Sequence, residues 1–226
     1  MYDAIIVGAG FSGAICAYKF ACNGRKVLLL EKRNHVAGNM YDYYDEEGAL
    51  IHKYGPHVIM TDKIWIREFI NNMDDIIDIE VKMEACVEKD LIVPLPINLN
   101  AIDLLYSYDK AELIKSELIH NYGYGNEIHI LDMINSKNSL IKTFAEDIYN
   151  KIFINYNVKM WGLKPQDIDK HIVGRVPVRI SRNDIRSKKK YNFVPKHGYT
   201  YIFNKLLNHP YIEICLQTNS VERLSI

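Results

Sequence analysis

The segment Gly8-Ala-Gly-Phe-Ser-Gly13 constrains this chain more than any other feature, because of what flanks it. Asp3-Ala-Ile-Ile-Val7 ahead of it is a short apolar run. Ser12 to Asn23 has helical character, Lys26-Val-Leu-Leu-Leu30 is a second apolar run, and Glu31 ends that run. A GxGxxG pattern alone is weak evidence. Placed after a strand, opening a helix and followed at the expected distance by an acid, it predicts a dinucleotide-binding βαβ unit. Gly8 permits a tight turn that a Cβ would obstruct. Gly10 lets the backbone approach a pyrophosphate, and Gly13 lets helix and strand pack closely. The helix start at Phe11-Ser12-Gly13 offers free N–H groups and a positive dipole end to phosphates. Glu31 is placed to accept hydrogen bonds from ribose hydroxyls.

Composition narrows the classes. The chain has 226 residues, with 28 basic and 28 acidic side chains, and that zero net charge argues against a dedicated nucleic-acid binder. An apolar content of 48% suffices for a globular core. The longest purely apolar runs hold four or five residues, far short of a membrane span. Met1-Tyr2-Asp3 lacks the basic region of a secretory signal, and the βαβ unit starts almost at once, so a cytoplasmic protein without membrane insertion is expected. Cys16, Cys22, Cys86 and Cys215 form no CxxC and no metal-like pairing with histidine, and buried reduced thiols are the simplest expectation. The eight histidines are dispersed and suggest no metal site.

Along the chain, residues 32–39 read as a loop, 41–48 as a polar strand or turn, and Ile51 to Tyr54 as a short strand. Lys63 to Met73 has helical spacing at Ile66, Phe69 and Ile70. Residues 79–93 look like two short β segments around Glu88-Lys89-Asp90. Pro94 and Pro96 exclude an ordinary central strand or a helix interior there. A helical stretch is expected over 101–122, and a stronger helix over Ser139 to Tyr156, with Leu140, Ile141, Phe144, Ile148 and Ile152 on one stripe. Arg175 to Arg179 returns to β character, Gly198-Tyr-Thr starts a helix through Leu207, and Ile212 to Leu216 is a late strand. The expected fold class is α/β: a Rossmann-type domain (1–99), a helical insert (100–165), and a β-rich segment returning to the first domain (166–226).

Several segments together resemble the bacterial UDP-galactopyranose mutase family, in order and at similar spacing. They are GAGFSG, EKRNHVAGN, HKYGPH, LPINLN, Tyr156-Asn-Val-Lys-Met-Trp161-Gly, RVPVR and GYT. The resemblance implies FAD on the Rossmann-type domain and interconversion of UDP-galactopyranose and UDP-galactofuranose. In that chemistry N5 of the reduced flavin attacks the anomeric carbon, and UDP leaves and returns. NAD(P)H or another reductant only primes the flavin. The resemblance further implies galactofuranose supply for a surface polysaccharide and a homodimer formed through the helical insert.

Carried over residue by residue, the resemblance assigns Gly8, Gly10, Phe11, Ser12, Gly13, Glu31, Lys32, Gly38, Asn39 and Tyr54 to the cofactor. His57 is assigned to the flavin N5 region, where a histidine can stabilise a charge change on the ring system. Tyr156 and Trp161 match an aromatic uracil platform, Phe153 and Tyr191 match substrate positions, and Arg179 matches a diphosphate-contacting arginine on a mobile lid loop. Arg175 and Arg179 are four apart, so in an extended segment both point to one face and form a candidate diphosphate clamp. His57 and Arg179 are thus the candidate catalytic residues.

The chain departs from the family at Val58-Ile-Met-Thr61, at Asn157 and Met160, and at Arg186-Ser187, which stands where relatives carry a tyrosine-phenylalanine pair. The five basic residues between Arg182 and Lys190 read as a solvated loop or as a device that steers an anionic substrate. Family enzymes are longer, so a C-terminally truncated family member with impaired or absent activity is expected. The alternatives are a flavin- or nucleotide-binding remnant and an amine-oxidase-type flavin oxidoreductase.

Overall fold

Three parallel strands build the first layer: Ala4–Val7, Val27–Leu30 and Ile212–Cys215, with Val27–Leu30 in the middle. That central strand is buried along its whole length, as a continuous apolar run bonded on both edges requires. The crossover from the first strand to the second is the helix Phe11–Cys22. Its buried residues are Ala14, Ala17 and Ala21, and the small side chains of Ala14 and Ala17 let it share one core with Val27, Leu29 and the helix Tyr199–Leu207, through Phe203 and Leu207. The computed structural model describes residues 1–173 and 176–224.

Two further β layers complete this unit, which comprises Met1–Ile79 and Lys189–Ile226. Asp42–Tyr44 pairs with Leu50–His52 as a hairpin. Tyr191–Pro195 lies between Ile59–Thr61 and Ile76–Asp78 in an antiparallel sheet, and the helix Ile64–Asn71 joins it through Ile70, which packs with Phe193, Ile202 and Leu206.

The second unit, Glu80–Lys188, is mainly helical. The hairpin Met83–Glu88/Leu91–Leu95 contributes Val93 and Leu95 to the same core as Ile102, Leu118, Phe144 and Ile148. The unit therefore begins at Glu80, whereas cuts at 99/100 and 165/166 were expected, because this hairpin packs into the helical core. Pro94 is tolerated because the sheet has only two strands, so its missing N–H falls on an edge.

The helical stretch expected over 101–122 is two helices, Leu99–Leu105 and Tyr108–Tyr122. Tyr106 is extended between them, with φ −131° and ψ 159°, and Ser107 starts the second helix from an extended N-cap. The helix from Ser139 continues past Tyr156 to Trp161, through a π turn at Tyr149–Phe153, and ends where Gly162 turns left-handed at φ +68°. The cysteines also differ from expectation, since Cys16, Cys22 and Cys86 are exposed. On Phe11–Cys22 the alanines take the inward face, which leaves both helix cysteines outside.

Candidate functional site

The glycine turn folds as its spacing demands. The Gly8 N–H donates to Leu30 O at 2.7 Å, with Gly8 at φ +94°, a conformation L side chains rarely adopt. A Cβ on Gly13 would sit 1.8 Å from Gly8 O, so only glycine lets the helix start against the turn. Gly38, at φ +56°, brings the 33–40 loop onto the same turn, where a Cβ would lie 3.1 Å from Gly10 Cα. Ala37 N–H fastens that loop by donating to Ala9 O at 2.9 Å. At the helix N-cap Gly10 supplies no side-chain acceptor, and no acid occupies the first turn. The first N–H groups are thus not satisfied from within, as an anion site needs.

Glu31 is buried at the end of the central strand, and its two oxygens accept from Ala9 N–H at 2.8 Å and Arg33 N–H at 2.9 Å. Each carboxylate oxygen retains a lone pair for a ligand hydroxyl. A cleft of about 390 Å³ opens beside it, lined by Gly8, Glu31, Lys32, Arg33, Gly38, Asn39 and, from the far end of the chain, Thr218 to Ser220. The backbone of that late segment is tied in by Thr218 N–H to Glu31 O and Gln217 N–H to Arg33 O, both 2.9 Å. Five residues singled out from the sequence, Gly8, Glu31, Lys32, Gly38 and Asn39, therefore meet in one cleft.

Arg33 and the 218–220 segment were not foreseen. Arg33 sits next to Lys32 in the same basic loop and was open to reading, whereas Thr218 to Ser220 arrive through tertiary pairing and carry no local signal. Arg33 donates from Nη2 to Asn39 Oδ1 at 2.8 Å and lies 4.5 Å over the Tyr54 ring, while its buried Nη1 has no partner. Tyr54 donates to His35 Nε2 at 2.8 Å, and His35 Nδ1 lies 2.7 Å from Val36 O. A carbonyl only accepts, so His35 carries its proton on Nδ1.

His57 lies outside this cleft. Its N–H donates to His52 Nδ1 at 3.0 Å, and its carbonyl accepts from the Tyr199 hydroxyl at 3.0 Å. Its Nδ1 is buried without a partner, a polar atom whose desolvation is costly until a ligand or water meets it. Burial, helped by the charge of Asp42, pushes the Tyr199 hydroxyl pKa well up, so it stays a donor. Asp42 also explains the GYT segment. Its carboxylate caps the helix by accepting from Tyr199 N–H and Thr200 N–H at 2.6 and 2.8 Å, and a Cβ on Gly198 would lie 2.7 Å from it. Phe11 packs at the edge of that unit's core with its ring tilted 53° to that of Phe203, centroids 4.6 Å apart, while Ser12 is exposed at the helix start.

In the helical unit, Phe153 is fully buried and Tyr156 is partly buried against the core, whereas Trp161 is half exposed at the helix end. Arg175 lies outside the described residues. Arg179 sits in a two-residue strand, Val178–Arg179, paired with Glu127–Ile128, rather than on an open loop. It is 3% exposed, donating from Nε to Glu127 Oε1 at 2.8 Å and from Nη1 to Asn183 O and Ile185 O at 3.0 and 2.6 Å. Glu127 was missed because nothing local marks a partner 52 positions away in sequence.

Asn98, in LPINLN, is buried and does two jobs. Its Oδ1 caps the helix Leu99–Leu105, and its Nδ2 donates to Asn183 O and Asp184 Oδ1. The basic run is largely paired: Arg182 with Asp103, Lys188 with Glu127, and Lys189 with Asp62. Tyr191 belongs to the first unit, in the strand Tyr191–Pro195, with the Arg67 guanidinium 5.5 Å from its ring.

Comparisons with known proteins give relatives for nearly the whole chain. A family model described as UDP-galactopyranose mutase matches residues 151–225, and one described as NAD(P)-binding Rossmann-like domain matches residues 6–73. The dTDP-fucopyranose mutase of Escherichia coli is 34% identical over 94% of this chain and 56% of its own length. The UDP-galactopyranose mutase of Mycoplasma pneumoniae is 30% identical over 95% of this chain and 54% of its own. A crystal structure of reduced UDP-galactopyranose mutase shares the fold with a TM-score of 0.66 at 18% identity, covering 95% of this chain and 48% of that one. The chain spans about half the length of the curated relatives it matches. No helix among the described residues is long and apolar enough to cross a membrane. Over nearly all of its length, the chain is similar to curated pyranose mutases, and its residues 151–225 match the family model described as UDP-galactopyranose mutase.

Proposed function

We propose that this chain binds FAD at the Glu31 cleft and carries part of the nucleotide-sugar site of a flavin-dependent pyranose–furanose mutase. The observation that carries this reading is the extent of the similarity. Mutase relatives match 94–95% of the chain, well beyond the glycine turn that oxidoreductases share. The cleft offers the ADP end of a dinucleotide two turn glycines and a buried carboxylate with spare lone pairs, and the helix start that follows the turn adds N–H groups that no side chain caps.

Bound in reduced form, FAD supplies the nucleophilic flavin nitrogen that the sugar's anomeric carbon needs. The chain's own residues bind and orient. Glu31 holds ribose hydroxyls, the N–H groups of Phe11 to Gly13 face the pyrophosphate, and the orphaned Nδ1 of His57 takes a hydrogen bond in the flavin region. Trp161, half exposed, offers a flat face to a pyrimidine, and Arg179 supplies charge for the diphosphate. The substrate class is a pyrimidine nucleoside diphosphate hexose. UDP-galactopyranose and UDP-galactofuranose are the first pair to test, with the dTDP-fucose pair as the second reading, favoured by the 34% identical relative.

The test incubates the purified chain with FAD, dithionite and each furanose nucleotide, followed by chromatography. Conversion of either sugar supports the mutase reading. Tight FAD and UDP binding without turnover supports a binding protein instead, and a substrate-dependent net change in flavin redox state overturns both.

A further inference from the structure

Across the strand pair from Arg179 stands a carboxylate that neither cofactor nor sugar binding employs. Glu127 is its direct cross-strand partner, and a single oxygen, Oε1, accepts from Arg179 Nε at 2.8 Å and from Lys188 Nζ at 2.9 Å. The side chain of Lys188 is 58% exposed, that of Glu127 27% and that of Arg179 4%, so a solute reaches Lys188 and the carboxylate before the buried guanidinium. Arg179 Nη1 is committed to the carbonyls of Asn183 and Ile185, which ties the turn between the two cations to the same guanidinium. Burial pushes the Glu127 carboxyl pKa up, but Lys188 and Arg179 outweigh it and hold the group below the usual carboxylate range. At neutral pH it is therefore an anion lying on two cations. A diphosphate offers those cations the same kind of oxygen ligand with greater charge.

Resting on the nucleotide-sugar reading above, we propose that Glu127 is an internal competitor for the substrate diphosphate. It holds Arg179 and Lys188 in the ligand-free chain and surrenders both when the diphosphate binds. Glu127 is thus a positioning residue that acts through two cations. The exchange is physically reasonable because the buried guanidinium passes from one anion to another and is never left without a counter-charge, the state that would be most costly. The competing carboxylate weakens anion binding, and it favours ligands bearing a full diphosphate over those with less charge.

The test measures UDP and uridine affinities by calorimetry for the wild-type chain and for Glu127→Gln, at low and high salt. Glutamine keeps the size and one acceptor oxygen but removes the charge. Glu127→Gln is expected to bind UDP several-fold tighter, with a steeper loss of affinity on adding salt, while uridine affinity stays unchanged. A purely structural role would lower Tm without widening the gap between UDP and uridine. Unchanged or weaker UDP binding by a folded Glu127→Gln protein overturns the assignment.

Should that variant not fold, Lys188→Met at the exposed end of the cluster replaces it. Weaker UDP binding with unchanged uridine binding supports the assignment, and unchanged UDP binding overturns it. If neither wild type nor variant binds UDP, the nucleotide-sugar reading itself fails. If wild type binds UDP and Glu127→Gln binds it no tighter, only the role of Glu127 fails.

Discussion

The two units present their candidate residues in opposite ways. In the glycine-turn unit, Gly8, Glu31, Lys32, Gly38 and Asn39 converge on one open cleft. In the helical unit, Phe153 lies in the core, and Arg179 is buried and hydrogen-bonded to Glu127 and two backbone carbonyls. The difference teaches that a cofactor cradle is built mostly from backbone, which a few glycines dictate locally. The long side chain of Arg179, by contrast, takes partners that come together only in the folded unit. One tryptophan falls in each unit, Trp65 in the first and Trp161 in the second, so fluorescence of single-tryptophan variants reads each separately.

The largest effect is expected from Phe153→Ala. A fully buried aromatic side chain leaves a cavity costing about 3–5 kcal/mol, and the Trp161 signal should report early denaturant unfolding of the helical unit. Lost nucleotide affinity at unchanged stability would instead put Phe153 at the ligand and break the comparison. Next comes Gly13→Ala, where a Cβ 1.8 Å from Gly8 O forces the helix off the turn. A strain of roughly 1–3 kcal/mol is expected, together with loss of flavin binding, read through Trp65. Wild-type flavin affinity in this variant would mean that the turn does not form the cradle.

The smallest effect is acid sensitivity. Asp103, Glu127 and Asp147 in the helical unit are all held below the usual carboxylate range. In each, burial works upward and is outweighed by partners: Lys115 and Arg182 for Asp103, Lys188 and Arg179 for Glu127, Tyr106 and Lys151 for Asp147. A depressed carboxylate stabilises fully above its unfolded pKa, near 4, and that stability disappears as pH falls through the lower folded value. The lowered carboxylates of the first unit, Asp62 with Lys189 and Asp78 with Arg67, lie in solvent and are screened. Below about pH 4, Trp161 should therefore report weakening before Trp65 does, and the reverse order would contradict the burial contrast.

Much of the fold was legible because its signals are local. The run from Asp3 to Glu31 carries its own turn chemistry, and Leu140, Ile141, Phe144, Ile148 and Ile152 mark a helix by period alone. The break at Tyr106–Ser107 was hidden because apolar residues continue on both sides of it. The candidate cleft was half legible, since Thr218 to Ser220 reach it only through pairing with the 31–33 backbone. Arg179 was legible as a residue but not in its surroundings, because Glu127 and the 183–185 carbonyls come together only in the folded unit. Asp42 was missed for the same reason: it caps a helix that begins 157 residues later.

The most direct test of the account is a fluorescence titration of the purified chain with FAD, followed by competition with ADP and with riboflavin. The account expects saturable binding of one flavin per chain, displaced by ADP and far less by riboflavin, and lost in Glu31→Leu. Absence of binding, or equal binding by wild type and Glu31→Leu, would contradict it.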